Sequence, residues 1–217
     1  MITNKGYNLD ITQKSLNVLK NVNSYIDGNV FHLHTHILYD LRTMIPKEEA
    51  VYFEIGTCSG SSFCLMLNNP KKTYVIGVDD AKSAPGGEST IRSNISKSNL
   101  YRYKNDFIVG NSQSEITKKK IREMVSGIDI FFIDGDHSFE GTINDFVNYK
   151  DLILPGGYVV FDDYHDYQFS PQVKHAVDYI VEKNICDGFE VLGYLENTIT
   201  KENKYKPFSN EFILRKL

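Results

Sequence analysis

From about residue 50 onward, short apolar runs alternate with amphipathic stretches. The runs are Ala50–Ile55, Thr73–Val78, Phe107–Val109, Ile128–Ile133 and Tyr158–Phe161. Near-continuous apolar character suits strands buried on both faces, and the alternation with helices predicts an α/β fold with a parallel sheet. In Ser138–Lys150, Phe139, Ile143, Phe146 and Val147 fall on one helical stripe. Ser170 can cap a further helix with Pro171 at its first position, and its stripe is Val173, Ala176, Val177, Ile180 and Val181. A helix beginning near Gly60 must stop at Asn68-Asn69-Pro70, where proline forbids continuation. After the fifth run the rhythm changes. Phe189–Leu195 and Glu211–Arg215 read as two more strands joined as a hairpin across a polar loop, residues 196–210. The expectation is a seven-stranded, mostly parallel sheet with an antiparallel C-terminal strand and helices on both faces. Residues 1–45 read as a helical lid or homo-oligomer contact, and 46–217 as the core of a single domain, 1–217.

Each of the five runs ends in a polar or glycine-rich cluster: Glu54 to Gly60, Asp79-Asp80, Gly110-Asn111-Ser112, Asp134 to His137, and Asp162 to His165. Open α/β sheets bind ligands beyond the carboxyl ends of their strands. One such cluster is only a turn, but five in register, four of them with acids, point to a site. Gly56 and Gly60 flank a tight strand-to-helix turn, where glycine lets backbone approach a ligand. Asp79 ends the next strand, where a carboxylate can accept both hydroxyls of a ribose. A nicotinamide dinucleotide is the weaker reading, because its G-x-G-x-x-G fingerprint needs glycine where Cys58 and Ser61 stand. A P-loop is excluded, since no Gly-Lys-Ser/Thr follows.

Composition narrows the partners. A content of 41% hydrophobic and 24% charged residues is that of an ordinary globule, and a net charge of −4 argues against a nucleic-acid partner. Lys118 to Lys120 with Arg122 form the one basic cluster, read as a solvated helix face. No run approaches the roughly 20 apolar residues that span a bilayer, and the first thirty residues lack a signal-peptide core. Cys58, Cys64 and Cys186 form no CxxC pair and read as reduced thiols, so a cytoplasmic protein without a membrane partner is expected.

The run Glu54-Ile-Gly-Thr-Cys-Ser-Gly-Ser-Ser62 resembles motif I of the class I S-adenosylmethionine-dependent methyltransferases, especially its catechol-type form. Phe132 to Gly141 and Leu154 to Tyr164 resemble blocks of the macrocin and mycinamicin sugar O-methyltransferases, and of a wider group that includes cephalosporin hydroxylase-like proteins. The resemblance covers roughly residues 50–185 and implies a Rossmann-like methyltransferase fold. It implies that Glu54, Gly56, Thr57, Ser59, Gly60 and Ser62 hold the methionine end of S-adenosylmethionine, that Asp79 binds the ribose, and that Asn111 and Ser112 lie near the adenine. It further implies that Asp134, Asp162 and Asp163 bind a divalent cation, Mg2+ or Mn2+, and that Asp136 is the general base.

A metal also makes physical sense on charge alone, because three converging carboxylates repel unless a hard cation or protonation relieves them. Asp162 and Asp163 can share an ion only if the strand has already ended, since strand neighbours face opposite ways. The alternative is a metal-free site in which Asp134 orders the cofactor and Asp162 caps a turn. His137 and His165 have ordinary pKa values nearer neutrality than Asp136 and could serve equally as base. The sugar enzymes carry Leu-Tyr after Asp-Gly-Asp, whereas this chain has His137-Ser138, and a stretch from His165 to Ser170 precedes the next helix. Both differences lie over the acceptor side. His32, His34 and His36 alternate, so metal ligation, an acceptor-pocket role and ordinary packing all stay open. Cys58 lacks an adjacent base and reads as a small filler whose backbone matters. The leading reaction is methyl transfer to a sugar, glycan or other small-molecule hydroxyl. A catechol-like acceptor is the runner-up, and a cofactor-binding or hydroxylase-type relative is the alternative of another class.

Overall fold

Seven strands form one sheet in the order β3-β2-β1-β4-β5-β7-β6 in the computed structural model, which describes residues 12–28, 33–194 and 211–217. The strands are β1 (Ala50–Ile55), β2 (Thr73–Asp79), β3 (Asn105–Val109), β4 (Ile128–Ile133), β5 (Ile153–Phe161), β6 (Phe189–Tyr194) and β7 (Phe212–Lys216). Strands β1 to β5 pair parallel, and β7 lies antiparallel between β5 and β6. The helices are α1 (Gln13–Asn23), α2 (Ile37–Met44), α3 (Ser61–Leu67), α4 (Gly87–Ser98), α5 (Glu115–Met124), α6 (Phe139–Tyr149) and α7 (Pro171–Glu182).

The two-residue period of the strands sorts the core into two layers. Tyr52, Ile130, Phe132 and Val160 face one side, with Val22, Leu38, Leu41, Phe63, Met66, Ile91 and Ile95 from α1 to α4. Phe53, Ile55, Phe131, Ile133, Val159 and Phe161 face the other, with Ile121, Phe146, Tyr149, Val173, Val177 and Ile180 from α5 to α7. Both faces are covered, which is why the strands show no polar alternation. Strand order reverses at β1, which pairs with β2 on one side and β4 on the other. The carboxyl ends of these strands therefore border the crevice where such sheets take ligands.

Several elements differ from the sequence pattern. Strand β5 starts at Ile153, not Tyr158, because Leu154-Pro-Gly-Gly is absorbed as an irregular start with a register shift against β4 and a positive φ of 80° at Gly156. Strand β3 begins at Asn105, two polar residues earlier. The buried face of α6 is Gly141, Thr142, Asp145, Phe146 and Tyr149, so Val147 is exposed although it continues the apolar stripe. Helix α4 has only Ile91 as its apolar anchor with Ile95 one turn on, too thin a stripe to read from sequence. Ser170 stands at the start of α7 but makes no capping hydrogen bond.

The N-terminal helices pack as part of the core. Leu19 of α1, Tyr39 of α2 and Leu65 of α3 form one cluster, and buried Arg42 donates from Nε to Thr73 Oγ1 at 2.9 Å. Leu33–His36 is a single 3₁₀ turn, so His34 and His36 do not share a strand face. His36 Nδ1 pairs with Ser15 Oγ at 2.7 Å, inside the α1–α2 contact. On α5 the basic side chains do form a solvated face, with Lys118 pairing with Glu115 and Arg122 with Asp151. His32, residues 1–11 of the expected N-terminal segment and the polar loop 196–210 lie outside the described residues. Among the described residues no helix is long and apolar enough to cross a membrane.

Candidate active site

The sheet ladder continues past the strand ends and sets the rim of the site. Gly56 N–H donates to Val78 O (2.9 Å), Asp134 N–H to Ile55 O (2.9 Å), Asp162 N–H to Ile133 O (3.0 Å) and Gly110 N–H to Asp79 O (2.8 Å). Beyond this rim lies a cavity of about 720 Å³ whose walls include Gly56, Cys58, Asp79, Asn111, Ser112 and Asp134.

Between β1 and α3 the chain turns tightly. Gly56 has φ +88°, and a Cβ there would lie 1.7 Å from the carbonyl oxygen of Asp134, so only glycine lets β1 and β4 approach so closely. Cys58 also has positive φ, 44°, and its N–H donates to Asp79 Oδ2 at 2.7 Å. Asp79 Oδ1 accepts from Ala81 N–H at 2.6 Å, so this one carboxylate ties the turn to the end of β2. Each carboxylate oxygen has a second lone pair, leaving Asp79 able to accept ribose hydroxyls as well. The contact with Asp79 is made by the Cys58 backbone. Ser59 is anchored through its carbonyl, which accepts from Asn94 Nδ2 of α4 at 2.9 Å.

Beneath the turn sits Glu54, fully buried. Tyr52 Oη donates to its Oε2 at 2.7 Å, and Ser62 and Thr57 lie beside it. Burial pushes its carboxyl up to about 7, against the pull of those hydroxyls. Glu54 Oε1 is buried with the Thr57 and Ser62 hydroxyls beside it and no well-formed hydrogen bond, so it keeps capacity to accept from a ligand.

On the β3 side, Asn111 Oδ1 accepts from Gln113 N–H at 2.7 Å, and Ser112 Oγ donates to Asp145 Oδ1 of α6 at 2.7 Å. Tyr149 Oη also holds the Ser112 carbonyl.

The acids of β4 and β5 divide into two groups. In the first, His137 Nε2 lies 3.1 Å from Asp134 Oδ1, while His137 Nδ1 lies 2.9 Å from Ser170 Oγ, which donates to Asp163 Oδ2 at 2.6 Å. This explains the missing cap on α7: the Ser170 hydroxyl is turned into the site. Because Ser170 gives its proton to a carboxylate, His137 Nδ1 must donate to it. Burial opposes a charge on His137, but Asp134, Asp163 and Asp162 outweigh it and hold the imidazole up at about 9. Burial, and then the charge of Asp162, push Asp134 well above the usual carboxylate range. Asp163 reaches this group because β5 has ended and its φ is +57°.

Asp162 turns the other way. Its Oδ1 lies 3.0 Å from His34 Nε2, and Glu211 completes that second group. His34 is held up at about 10, burial being outweighed by Asp162 and Glu211. Asp134, His137 and Asp163 each bring one ligand-capable atom within 4.8 Å of the others, and so do His34, Asp162 and Glu211. The three aspartates therefore fall into two adjoining groups, with Asp162 still near enough for its charge to act on Asp134. Asp136 is exposed on the cavity wall, where its Oδ1 accepts from Ser138 N–H at 3.0 Å. His165 stands apart from the lining, its ring packed edge-on against Tyr164 and Tyr194 at 4.7 and 4.6 Å. Sequence reasoning missed the Ser170 link, the pairing of His34 with Asp162 and the buried Asp145. Only Ser170 carried a signal, and that signal pointed to a helix cap.

This strand order, with a glycine turn after β1 and an acid at the end of β2, is that of the class I methyltransferases. The chain belongs to the methyltransferase-domain family, whose profile matches residues 53–164. It is 40% identical over 198 residues to an uncharacterized protein of Acanthamoeba polyphaga mimivirus, covering 87% of this chain and 89% of that one. Among solved structures it is similar to an O-methyltransferase from Bacillus cereus in complex with S-adenosylhomocysteine (TM-score 0.59, 16% identity, 95% and 91% of the two chains). MycE of the mycinamycin biosynthetic pathway, in complex with Mg and S-adenosylhomocysteine, matches with TM-score 0.59, 13% identity, and 93% and 54% of the chains. An rRNA methylase from Streptococcus thermophilus matches with TM-score 0.54, 14% identity, and 84% and 95% of the chains.

Proposed function

We propose that the protein is an S-adenosylmethionine-dependent O-methyltransferase acting on a small-molecule or sugar hydroxyl, with a divalent cation assisting. The observation that carries the cofactor is the buried Glu54 Oε1, without a well-formed hydrogen bond and two residues before Gly56 of the cavity wall. A buried carboxylate with an unused oxygen fits the ammonium of an amino-acid ligand. Glu54, Gly56, Thr57, Ser59, Gly60 and Ser62 would hold the methionine end, Asp79 the ribose, and Asn111 with Ser112 the adenine. When bound, the cofactor supplies an electrophilic sulfonium methyl.

Every further contribution comes from this chain. The acceptor hydroxyl must be held in line and lose its proton. Asp134 and Asp163 offer hard oxygen donors beside one imidazole, a set that suits Mg2+ or, with the nitrogen, Mn2+. The proton on His137 balances their charge in the absence of an ion. Asp162, committed to His34, would supply charge nearby. Asp136, on the open wall of the cavity, would take the acceptor proton. The net charge of −4 and the acid-rich mouth favour a neutral polyol over a polyanion.

A second reading is favoured by the existing Asp134–His137–Ser170–Asp163 chain, which is balanced without an ion. In it no metal takes part, and His137 serves as base once it has lost its Nε2 proton, the Nδ1 proton staying hydrogen-bonded to Ser170. One assay separates the two: S-adenosylhomocysteine release over a panel of hydroxylated acceptors, with and without chelator. On the metal reading chelator abolishes turnover, Mn2+ or Mg2+ restores it, and Asp163→Asn raises the metal concentration required, whereas Asp136→Asn lowers turnover alone. Full activity in chelator, with His137→Gln inactive, would establish the metal-free route.

A further inference from the structure

We propose that Asp145 acts through Ser112 to make the base end of the cavity read the exocyclic amino group of adenine. This rests on the proposed function, since it concerns the same cofactor. Ser112 is a cavity residue, yet its hydroxyl proton is already committed to Asp145 Oδ1 at 2.7 Å. A hydroxyl has one proton and two lone pairs, so toward a ligand Ser112 can only accept. Asp145 cannot reverse this polarity. Its carboxyl is lifted to about 6 by burial, with the Ser112 and Gln113 hydrogen bonds pulling the other way, and in its ionised form it only accepts. The residue is wholly buried, and its Oδ2 has no well-formed hydrogen bond, with the Gln113 side chain the other donor near the carboxylate.

That second oxygen lies directly behind the cavity wall, since a Cβ on Gly135, itself a lining residue, would stand 3.2 Å from it. The same end therefore presents an accepting hydroxyl with a buried negative charge behind it. Ser112 is held in position from the backbone too, where Tyr149 Oη donates to its carbonyl, so α6 fixes both halves of the residue. Beside it, Asn111 Oδ1 is taken by Gln113 N–H, which leaves the Asn111 amide group as a donor. An acceptor next to a donor matches the edge of adenine, an amino group beside a ring nitrogen with a lone pair. Hypoxanthine offers the reverse, a carbonyl oxygen beside a ring N–H. Sites built to hydrogen-bond one polarity reject the other strongly, because the mismatched groups are left unpaired. Asp145 touches no ligand in this account and is a positioning residue for Ser112.

The test is calorimetric titration of wild type, Ser112→Ala and Asp145→Ala with S-adenosylhomocysteine and with S-inosylhomocysteine. Wild type should prefer the adenosyl ligand by at least about tenfold, the size of one well-made buried hydrogen bond against its mismatch. Ser112→Ala removes the acceptor, and Asp145→Ala frees the Ser112 proton to turn toward a carbonyl, so each should bring the ratio close to unity. A merely structural role for Asp145 would weaken both ligands alike and keep the ratio. Adenosyl binding with an unchanged ratio in the variants, or with none in wild type, overturns this inference alone. If Asp145→Ala fails to fold, the Ser112→Ala ratio decides. No binding of S-adenosylhomocysteine to wild type would instead overturn the proposed function.

Discussion

Replacing Asp79 with alanine removes the acceptor of two backbone N–H groups, Cys58 at 2.7 Å and Ala81 at 2.6 Å. Hydrogen bonds to a charged acceptor contribute about 1.5–3 kcal/mol when well shielded. Cys58 and Ala81 are only half buried on the wall of an open cavity, so water takes over part of each role and about 1 kcal/mol apiece is the better figure. The chain should lose about 2 kcal/mol, a fall in Tm of roughly 4–8 °C for its size. Ligand affinity should fall as well, because the same change deprives the ribose of its acceptor and releases a turn that holds Cys58 at positive φ. Ten- to hundredfold weaker binding, about 1.4–2.8 kcal/mol, is expected. Asp79→Asn should resemble alanine, since its amide presents a donor to one of the two N–H groups. Thermal unfolding followed by circular dichroism reads the first effect, and titration with S-adenosylhomocysteine the second. A folded Asp79→Ala protein with wild-type Tm and affinity would refute both the tie and the ribose assignment.

Other changes act on single contacts. Gly56→Ala brings a Cβ against the Asp134 carbonyl at 1.7 Å with φ +88°, so β1 and β4 must part; a loss above about 3 kcal/mol and a Tm at least roughly 6 °C lower are expected, read by thermal unfolding. Glu54, held up at about 7 by burial, should release a proton when a ligand ammonium pairs with it below that pH. Titrations in buffers of different ionisation enthalpy should show that release, and its absence in both wild type and Glu54→Gln would remove Glu54 from the ammonium site. His34 is raised from 6.5 to about 10, so its contribution to stability is complete below 6.5 and lost as pH rises through 10. In chelator, His34→Gln should therefore flatten the decline of unfolding free energy between those values, and an unaltered slope would contradict the His34–Asp162 pair.

The sheet was legible because each of its central strands is buried on both faces and announces itself as an apolar run. The rim was legible too, since Gly56, Asp79, Asp134 and Asp163 follow directly from where those runs end. Contacts across long sequence separations were not. Nothing near His34 marks Asp162, 128 residues away, as its partner. Ser170 and Pro171 carry a helix-start pattern, and the structure keeps the helix while sending the hydroxyl to Asp163 and His137. Asp145 sits where α6 shows a polar position, and only packing reveals that this position faces inward. The division of the three aspartates into two adjoining groups was not legible either, because it depends on the His34 and Glu211 partners that Asp162 finds across long sequence separations.

Titrating the purified wild-type protein with S-adenosylhomocysteine, and separately with NAD, tests the central claim most directly. The cavity walled by Gly56 and Asp79 should bind one equivalent of S-adenosylhomocysteine per chain with affinity of about micromolar order and give no heat with NAD, because Cys58 and Ser61 occupy the fingerprint's glycine positions. Saturable NAD binding without S-adenosylhomocysteine binding would contradict it.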